Sequence, residues 1–225
     1  MKDKDSTMQL FWTPASPFVR KAMVSIHELK LEKRIEIVPT TWPHEWATRT
    51  VEFDREFIAA NPVGRIPALV TDDGIAICES NLICRYLAAQ VGGSRFIPGN
   101  TREDLPALRL WGIADGALEA MIARRAETLR TGPEHSKDFI RKQRERISRC
   151  FDSFDVSYLE SHGQPAIGET TIAHVAAGIA CGYMDFRFPS DAWRDNRPAL
   201  ARWYHGFATR ESMKLTMPAE TPQHR

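Results

Sequence analysis

The feature that most constrains this chain's fold is a change in hydrophobic period partway along it. Up to about residue 90 the pattern switches repeatedly between the two-residue period of strands and the 3.6-residue period of helices; beyond residue 100 only the helical period remains. Met8 to Trp12 is a short apolar run suited to a buried strand. Ser16-Pro17 then starts a helix, with serine as N-cap and proline at the first helical position. Val19, Met23, Ile26 and Lys30 follow at helical spacing, with Ala22 and Leu29 widening the stripe. Arg34 to Val38 alternates, with Ile35 and Ile37 on one face, and predicts a second strand. Phe53, Phe57 and Ile58 predict a short helix late in the less regular stretch from Thr40 to Asn61. Ala68–Thr71 and Ile75–Cys78 flank Asp72-Asp73-Gly74, a hairpin signal, and a helix runs on from Ser80 through Leu82, Ile83, Tyr86 and Leu87. The first crossover requires a parallel strand pair, and the hairpin adds an antiparallel one.

Gly92-Gly93-Ser94 and Pro98-Gly99-Asn100 punctuate the chain where the period changes. The expected division is an α/β domain over 7–90 and an all-helical domain over 101–216. In the second part Leu108, Trp111, Asp115, Leu118 and Ile122 share a helical face. Ile140, Ile147, Phe151, Phe154 and Tyr158 mark another helix. A small-residue run around Ile172, Val175, Ile179 and Tyr183 predicts a buried helix, and Leu200, Trp203, Tyr204 and Phe207 close the core. The tail from Thr216 is expected to be loose.

Composition excludes several classes. The 30 basic and 29 acidic residues leave a net charge of +1, which gives no reason to expect nucleic acid or a membrane surface as partner. The basic run Arg141–Arg146 reads as a solvated helix face. Residues 1–7 lack the apolar core of a signal peptide, and no apolar run approaches membrane-spanning length. Cys78, Cys84, Cys150 and Cys181 form no C-x-x-C and no zinc-like cluster; reduced, mostly buried thiols in a cytoplasmic protein are expected.

Three segments of the first part carry chemistry. In Asn61-Pro62-Val63-Gly64-Arg65-Ile66-Pro67-Ala68-Leu69, a cis bond before Pro67 would turn the Ile66 N–H and C=O outward to pair with an extended peptide; an ordinary trans edge proline is the alternative. At Glu79-Ser80, Ser80 fits an N-cap, the helix N-terminus behind it suits a carboxylate, and Glu79 suits an ammonium. A plain capping serine beside a solvated glutamate is the structural alternative. In Thr13-Pro14-Ala15-Ser16-Pro17-Phe18-Val19-Arg20-Lys21, the Ser16 hydroxyl beside a helix N-terminus suits donation to a thiolate, favouring ionisation of a thiol whose reference pKa is about 8.5. A structural N-cap uses the same oxygen, although a hydroxyl can both donate and accept.

In this order and spacing the motifs resemble the glutathione transferase family, most closely a bacterial subgroup with a Ser-type N-terminal motif and Ala-Asp-Gly, here Ala114-Asp115-Gly116, in the first long helix. Thr171-Ile172-Ala173-His174 and Gly182–Arg187 are similar to the family's core helix and its exit. The resemblance covers nearly the whole chain. It implies a thioredoxin-like N-terminal domain (βαβαββα) that binds glutathione, an all-helical C-terminal domain that completes a hydrophobic substrate pocket, and a homodimer. Ser16 is then the thiol-activating hydroxyl, with Thr13 as the other candidate. Ile66 supplies backbone bonds beside Pro67, Glu79 and Ser80 hold the γ-glutamyl end, and Arg65 approaches the glycyl end. Phe18, Trp111, Asp115 and Arg125 are the candidates for the acceptor pocket. Asp115 on an apolar stripe fits either a ligand cleft or the domain interface.

Two departures from the family pattern stand out. The core-helix capping box usually ends in Asp, and His174 stands there; histidine is not expected to reproduce the carboxylate's acceptor geometry. The stretch 40–50, with Trp42, Pro43, His44 and Trp46, is longer than usual and is a candidate gate or cover. No cysteine occupies position 13 or 16, which argues against cysteine-based thiol transfer. No metal, nucleotide or Ser-His-Asp hydrolase motif occurs. The resulting expectation is a glutathione transferase attacking a small hydrophobic electrophile, with no metal. A glutathione-binding or protein-interaction module with little turnover is the rival.

Overall fold

The computed structural model describes residues 7–40, 54–92, 95–130, 132, 135–154, 156–161 and 170–220. The proposed gate of Trp42, Pro43, His44 and Trp46, the Phe53 end of the short helix, and the Gly93-Ser94 part of the linker lie outside them.

The first part is a four-stranded mixed sheet in the order β2-β1-β3-β4, from β1 (Met8–Trp12), β2 (Ile35–Pro39), β3 (Ala68–Val70) and β4 (Ala76–Cys78). β1 pairs parallel with β2 and antiparallel with β3, and β3 pairs antiparallel with β4. Alternation on the central strands divides the core. Met8, Leu10 and Leu69 face α1 (Pro17–Glu28) and α3 (Ser80–Ala89), while Phe11 and Ala68 pack with Phe57 of α2 (Arg55–Ala60). β2 is an edge strand, and Ile37, expected on one face with Ile35, is 37% exposed. The hairpin forms around Gly74 (φ +79°), but β4 begins one residue late, leaving Ile75 exposed.

The helical part comprises α4 (Leu105–Leu129), α5 (Lys137–Asp152), α6 (Val156–Ser161), α7 (Ile172–Arg187), α8 (Pro198–Phe207) and α9 (Glu211–Leu215). The single helix expected from Ile140 to Tyr158 is broken between α5 and α6, with Phe154 in the gap and stacked on Phe151. Every residue of α7 from Ile172 to Met184 is buried, which explains its small-residue composition. A Cβ on Gly178 would stand 2.5 Å from the Phe207 ring, and one on Gly182 2.7 Å from the Arg20 guanidinium.

His174 corrects the first departure. Its Nδ1 accepts the Thr171 N–H at 3.2 Å, so a neutral imidazole with its proton on Nε2 supplies the acceptor that a carboxylate supplies elsewhere. Tyr158 stacks on the ring at 5.2 Å. The tail is also not loose as far as Glu220: Ala219 N–H donates to the Pro14 carbonyl and Glu220 pairs with Arg187.

A second tie joins the two parts. Glu28, at the end of α1, accepts from Arg210 at 2.9 and 2.7 Å and from the Ser212 hydroxyl. Burial alone would raise the Glu28 carboxyl's pKa, but the hydrogen bonds from Arg210 and Ser212 outweigh it, and the net shift is downward. A folded-state value below the unfolded one stabilises the fold above the unfolded carboxyl's titration, near about pH 4.3, and this contribution drains away as pH falls through the lower folded value. Glu28→Gln should therefore lose less melting temperature than wild type between neutral pH and about pH 3.5, as read by calorimetry. Equal losses would show that this clasp does not set the acid limb.

Candidate functional site

Strand register brings the three motif segments to one end of the sheet. Phe11 pairs with Ala68 and Ala68 pairs with Cys78, forming one row across β1, β3 and β4. Just beyond that row the chain continues into Thr13–Ser16 from β1, arrives from Ile66-Pro67 at β3, and leaves β4 into Glu79-Ser80. Adjacent strands lie about 4.8 Å apart, so three strands span roughly 10 Å, the length of an extended tripeptide.

Ser16 caps α1 as the sequence predicts: its Oγ accepts the Val19 N–H at 3.3 Å. That bond uses the oxygen as acceptor and leaves the hydroxyl hydrogen to donate elsewhere. Thr13 is buried, at 3% exposure, whereas Ser16 is half-buried.

The Ile66–Pro67 bond is cis. Asn61, which the sequence reading passed over, shapes the loop before it. Its side chain donates to the Arg65 carbonyl and accepts the Val63 N–H at 3.1 Å, while its backbone carbonyl takes the Gly64 N–H. Gly64 sits at φ +65°, a conformation glycine adopts without steric cost. Ile66 and Pro67 are buried, and Arg65 is exposed.

At the third segment the cap is Glu79, not Ser80. Glu79 has φ +78°, an uncommon backbone conformation for a residue with a side chain. This turn folds its carboxylate onto the helix it precedes, where it accepts from Asn81 N–H at 3.0 Å, Leu82 N–H at 3.3 Å and the Ser80 hydroxyl at 3.2 Å. Two of the helix N–H groups expected to await a ligand carboxylate, those of Asn81 and Leu82, are thus already engaged by Glu79. The negative end that would meet an ammonium is held in place.

Behind these segments lies a buried polar seam. Lys21 is fully buried, and its Nζ donates to Asn81 Oδ1 at 2.6 Å and to Asp115 at 2.7 Å. The Trp111 indole N–H donates to the same Asn81 oxygen at 3.0 Å. Of the two readings of Asp115, the domain interface is the one its contacts meet, and Trp111 is drawn into that seam with it. Phe18 and Arg125 are both half-buried; Phe18 lies beneath the Lys21 ammonium, 5.6 Å from ring centroid to nitrogen. Sequence reasoning missed Lys21 and Asn81. A lysine at a core position of α1 was the available signal.

The protein's own thiols are free. Burial pushes Cys84 up to about 11, so it stays protonated at neutral pH beside Ser25. Among the described residues no cluster of histidine, cysteine or carboxylate side chains could hold a metal ion, and no helix is long and apolar enough to cross a membrane.

Fold and site together define a thioredoxin-like domain, with three motif segments at one end of its sheet, beside an all-helical domain. Residues 15–90 match the glutathione S-transferase N-terminal domain. The GST-like protein YibF of Escherichia coli K12 is 30% identical over 213 residues, 94% of this chain and 98% of that one. A glutathione transferase family member from Pseudomonas fluorescens Pf-5, solved with bound glutathione, is 33% identical with a TM-score of 0.84 over 95% of this chain and 100% of that one. A second structure from that organism, with bound S-(propanoic acid)-glutathione, is 32% identical with a TM-score of 0.79 over 94% and 100%. The chain belongs to the glutathione S-transferase family. It is a glutathione S-transferase-type transferase.

Proposed function

We propose that the chain binds glutathione as co-substrate along the end of the sheet and activates its thiol for attack on a small electrophile with a hydrophobic body. The observation that carries this reading is the Phe11–Ala68–Cys78 row, which gathers three recognition segments within the length of one tripeptide. In this reading the Ile66 backbone pairs with the cysteinyl part beside Pro67. Glu79 takes the ligand ammonium and Ser80 its carboxylate, while Arg65, exposed on the adjoining loop, meets the glycyl end. The Ser16 hydroxyl donates to the sulfur. Its helix N-terminus adds positive field, and both favour thiolate over thiol. Thr13, buried beneath, supports that turn. Phe18 and Arg125 border the acceptor pocket, and Trp111 and Asp115 brace it from the seam.

The enzyme then contributes alignment of the sulfur and stabilisation of its charge. We further assign the protein to the reducing cytoplasm, on its free thiols, and to a homodimer with a role in detoxification. The domains divide at 7–90 and 101–216.

Calorimetric titration with glutathione tests the assignment. Wild type should bind, and Glu79→Gln, which keeps the shape but loses the charge opposite the ammonium, should weaken binding by about tenfold or more. Unchanged affinity would remove Glu79 from the site. Binding without turnover of any electrophile in a broad panel would leave a binding module in place of an enzyme.

A further inference from the structure

The end of α7 and the tail that crosses it form a cluster that the glutathione site does not use. Arg187 is the last residue of α7, and its side chain is only 10% exposed. Its guanidinium lies over the Phe186 ring, 4.0 Å from the centroid, which fixes the plane of the fork. Its Nη1 donates to Glu220 at 2.5 Å, while its Nε is buried without a hydrogen-bond partner. Tyr183, one turn earlier, is buried; that burial pushes its hydroxyl's pKa up, and the positive charges of Arg187 and of Arg125 on α4 act against the rise. The anion Arg187 holds comes from an exposed segment: the Glu220 side chain is 72% exposed and makes a one-point contact. Its neighbour Ala219 rests on the Pro14 carbonyl by a long, 3.4 Å bond, two residues from Ser16. One hydrogen bond, one residue and one ion pair therefore connect the Ser16 turn to Arg187.

We infer that Arg187, backed by Tyr183 and Arg125, is a carboxylate-binding subsite for the electrophile, held by Glu220 until an acidic electrophile displaces it. The inference rests on the transferase reading above and narrows its substrate class to short electrophiles that carry a carboxylate. A planar guanidinium whose Nε–H is unused offers its Nε–Nη2 edge for a two-point grip on a carboxylate, whereas Glu220 meets only Nη1. For a halogenated alkanoate the chemistry balances simply. The glutathione thiolate attacks the halogen-bearing carbon, the S–C bond forms as the carbon–halogen bond breaks, and the halide leaves with the bonding pair. The carboxylate on Arg187 is unchanged.

The test compares 3-bromopropanoate with 3-bromopropanamide, which has the same reactive carbon and no charge, in wild type, Arg187→Leu, Arg187→Lys and Glu220→Gln. The readout is the ratio of kcat/KM for acid over amide, with the thermal shift produced by glutathione as the folding control. Arg187→Leu should lower the ratio by at least about tenfold. Arg187→Lys, which keeps charge but loses the fork, should fall between. Glu220→Gln removes the internal competitor and should lower KM for the acid. A wild-type ratio in Arg187→Leu overturns the subsite. If that variant does not fold, an unchanged acid KM in Glu220→Gln together with a wild-type ratio in Arg187→Lys overturns it instead. Amide turnover with no acid preference in wild type sinks the subsite alone. A wild type that neither shifts with glutathione nor turns over either compound sinks the transferase reading and the subsite with it.

Discussion

Ser16→Ala should lower kcat/KM for glutathione conjugation by about 10²-fold or more, with the larger part in kcat. The lost group is a donor aimed at developing or resident negative charge, and such donors are worth about 2.7–4 kcal/mol in a preorganised site. The same variant should raise the pKa of bound glutathione, followed by thiolate absorbance against pH. Each unit of rise corresponds to about 1.4 kcal/mol of lost preference for the ionised form. Stability should fall much less, because alanine removes only one capping bond to Val19 N–H, worth about 1 kcal/mol. This separation of readouts distinguishes a thiol-activating hydroxyl from a mere cap. If activity fell only in step with stability, Ser16 would be a cap alone, and Thr13 would be the next residue to replace.

Asp115→Ala should destabilise the fold by about 3–5 kcal/mol, because it strands the charge of a fully buried lysine. In a protein of this size that is roughly a 10 °C loss in Tm. The double variant Lys21→Met with Asp115→Leu should recover most of the loss, since removing both charges leaves no unpaired ion in the seam. The effect should reach the glutathione site as well. Lys21 and Trp111 both hold the Asn81 side chain, and the Asn81 backbone N–H holds the Glu79 carboxylate. A single variant melting within a degree or two of wild type would mean that Asn81 alone satisfies the lysine.

Much of the fold was legible in the sequence because short-range pattern determines short-range structure. The order of strands and helices, the Ser16-Pro17 start of α1, the hairpin at Gly74 and the buried character of α7 all follow from period, cap and turn chemistry within a few residues. The break between α5 and α6 and the late start of β4 were not legible, since element ends depend on what the neighbouring layer covers. The three recognition segments could be named one by one, but only the register of β1, β3 and β4 sets them side by side.

Side-chain partners, near or distant in sequence, were the least legible. His174 fills a role written for a carboxylate because either ring nitrogen of histidine can be the acceptor, and Thr171 selects which one. Glu79 displaced Ser80 as the cap of α3 because a positive φ folds its longer side chain back onto the first helix N–H groups. Lys21 reads as an interruption of an apolar stripe until α3 and α4 bring Asn81 and Asp115 to it. The tail reads as loose until Pro14 and Arg187 hold it. The sequence by itself thus determined which local shapes the chain takes and which residues are candidates for thiol and peptide chemistry, because propensities, caps and turns act over a few residues. Tertiary structure alone decided which charges meet and what stands over the Ser16 turn, because those pairings join residues from about thirty to about two hundred positions apart in sequence.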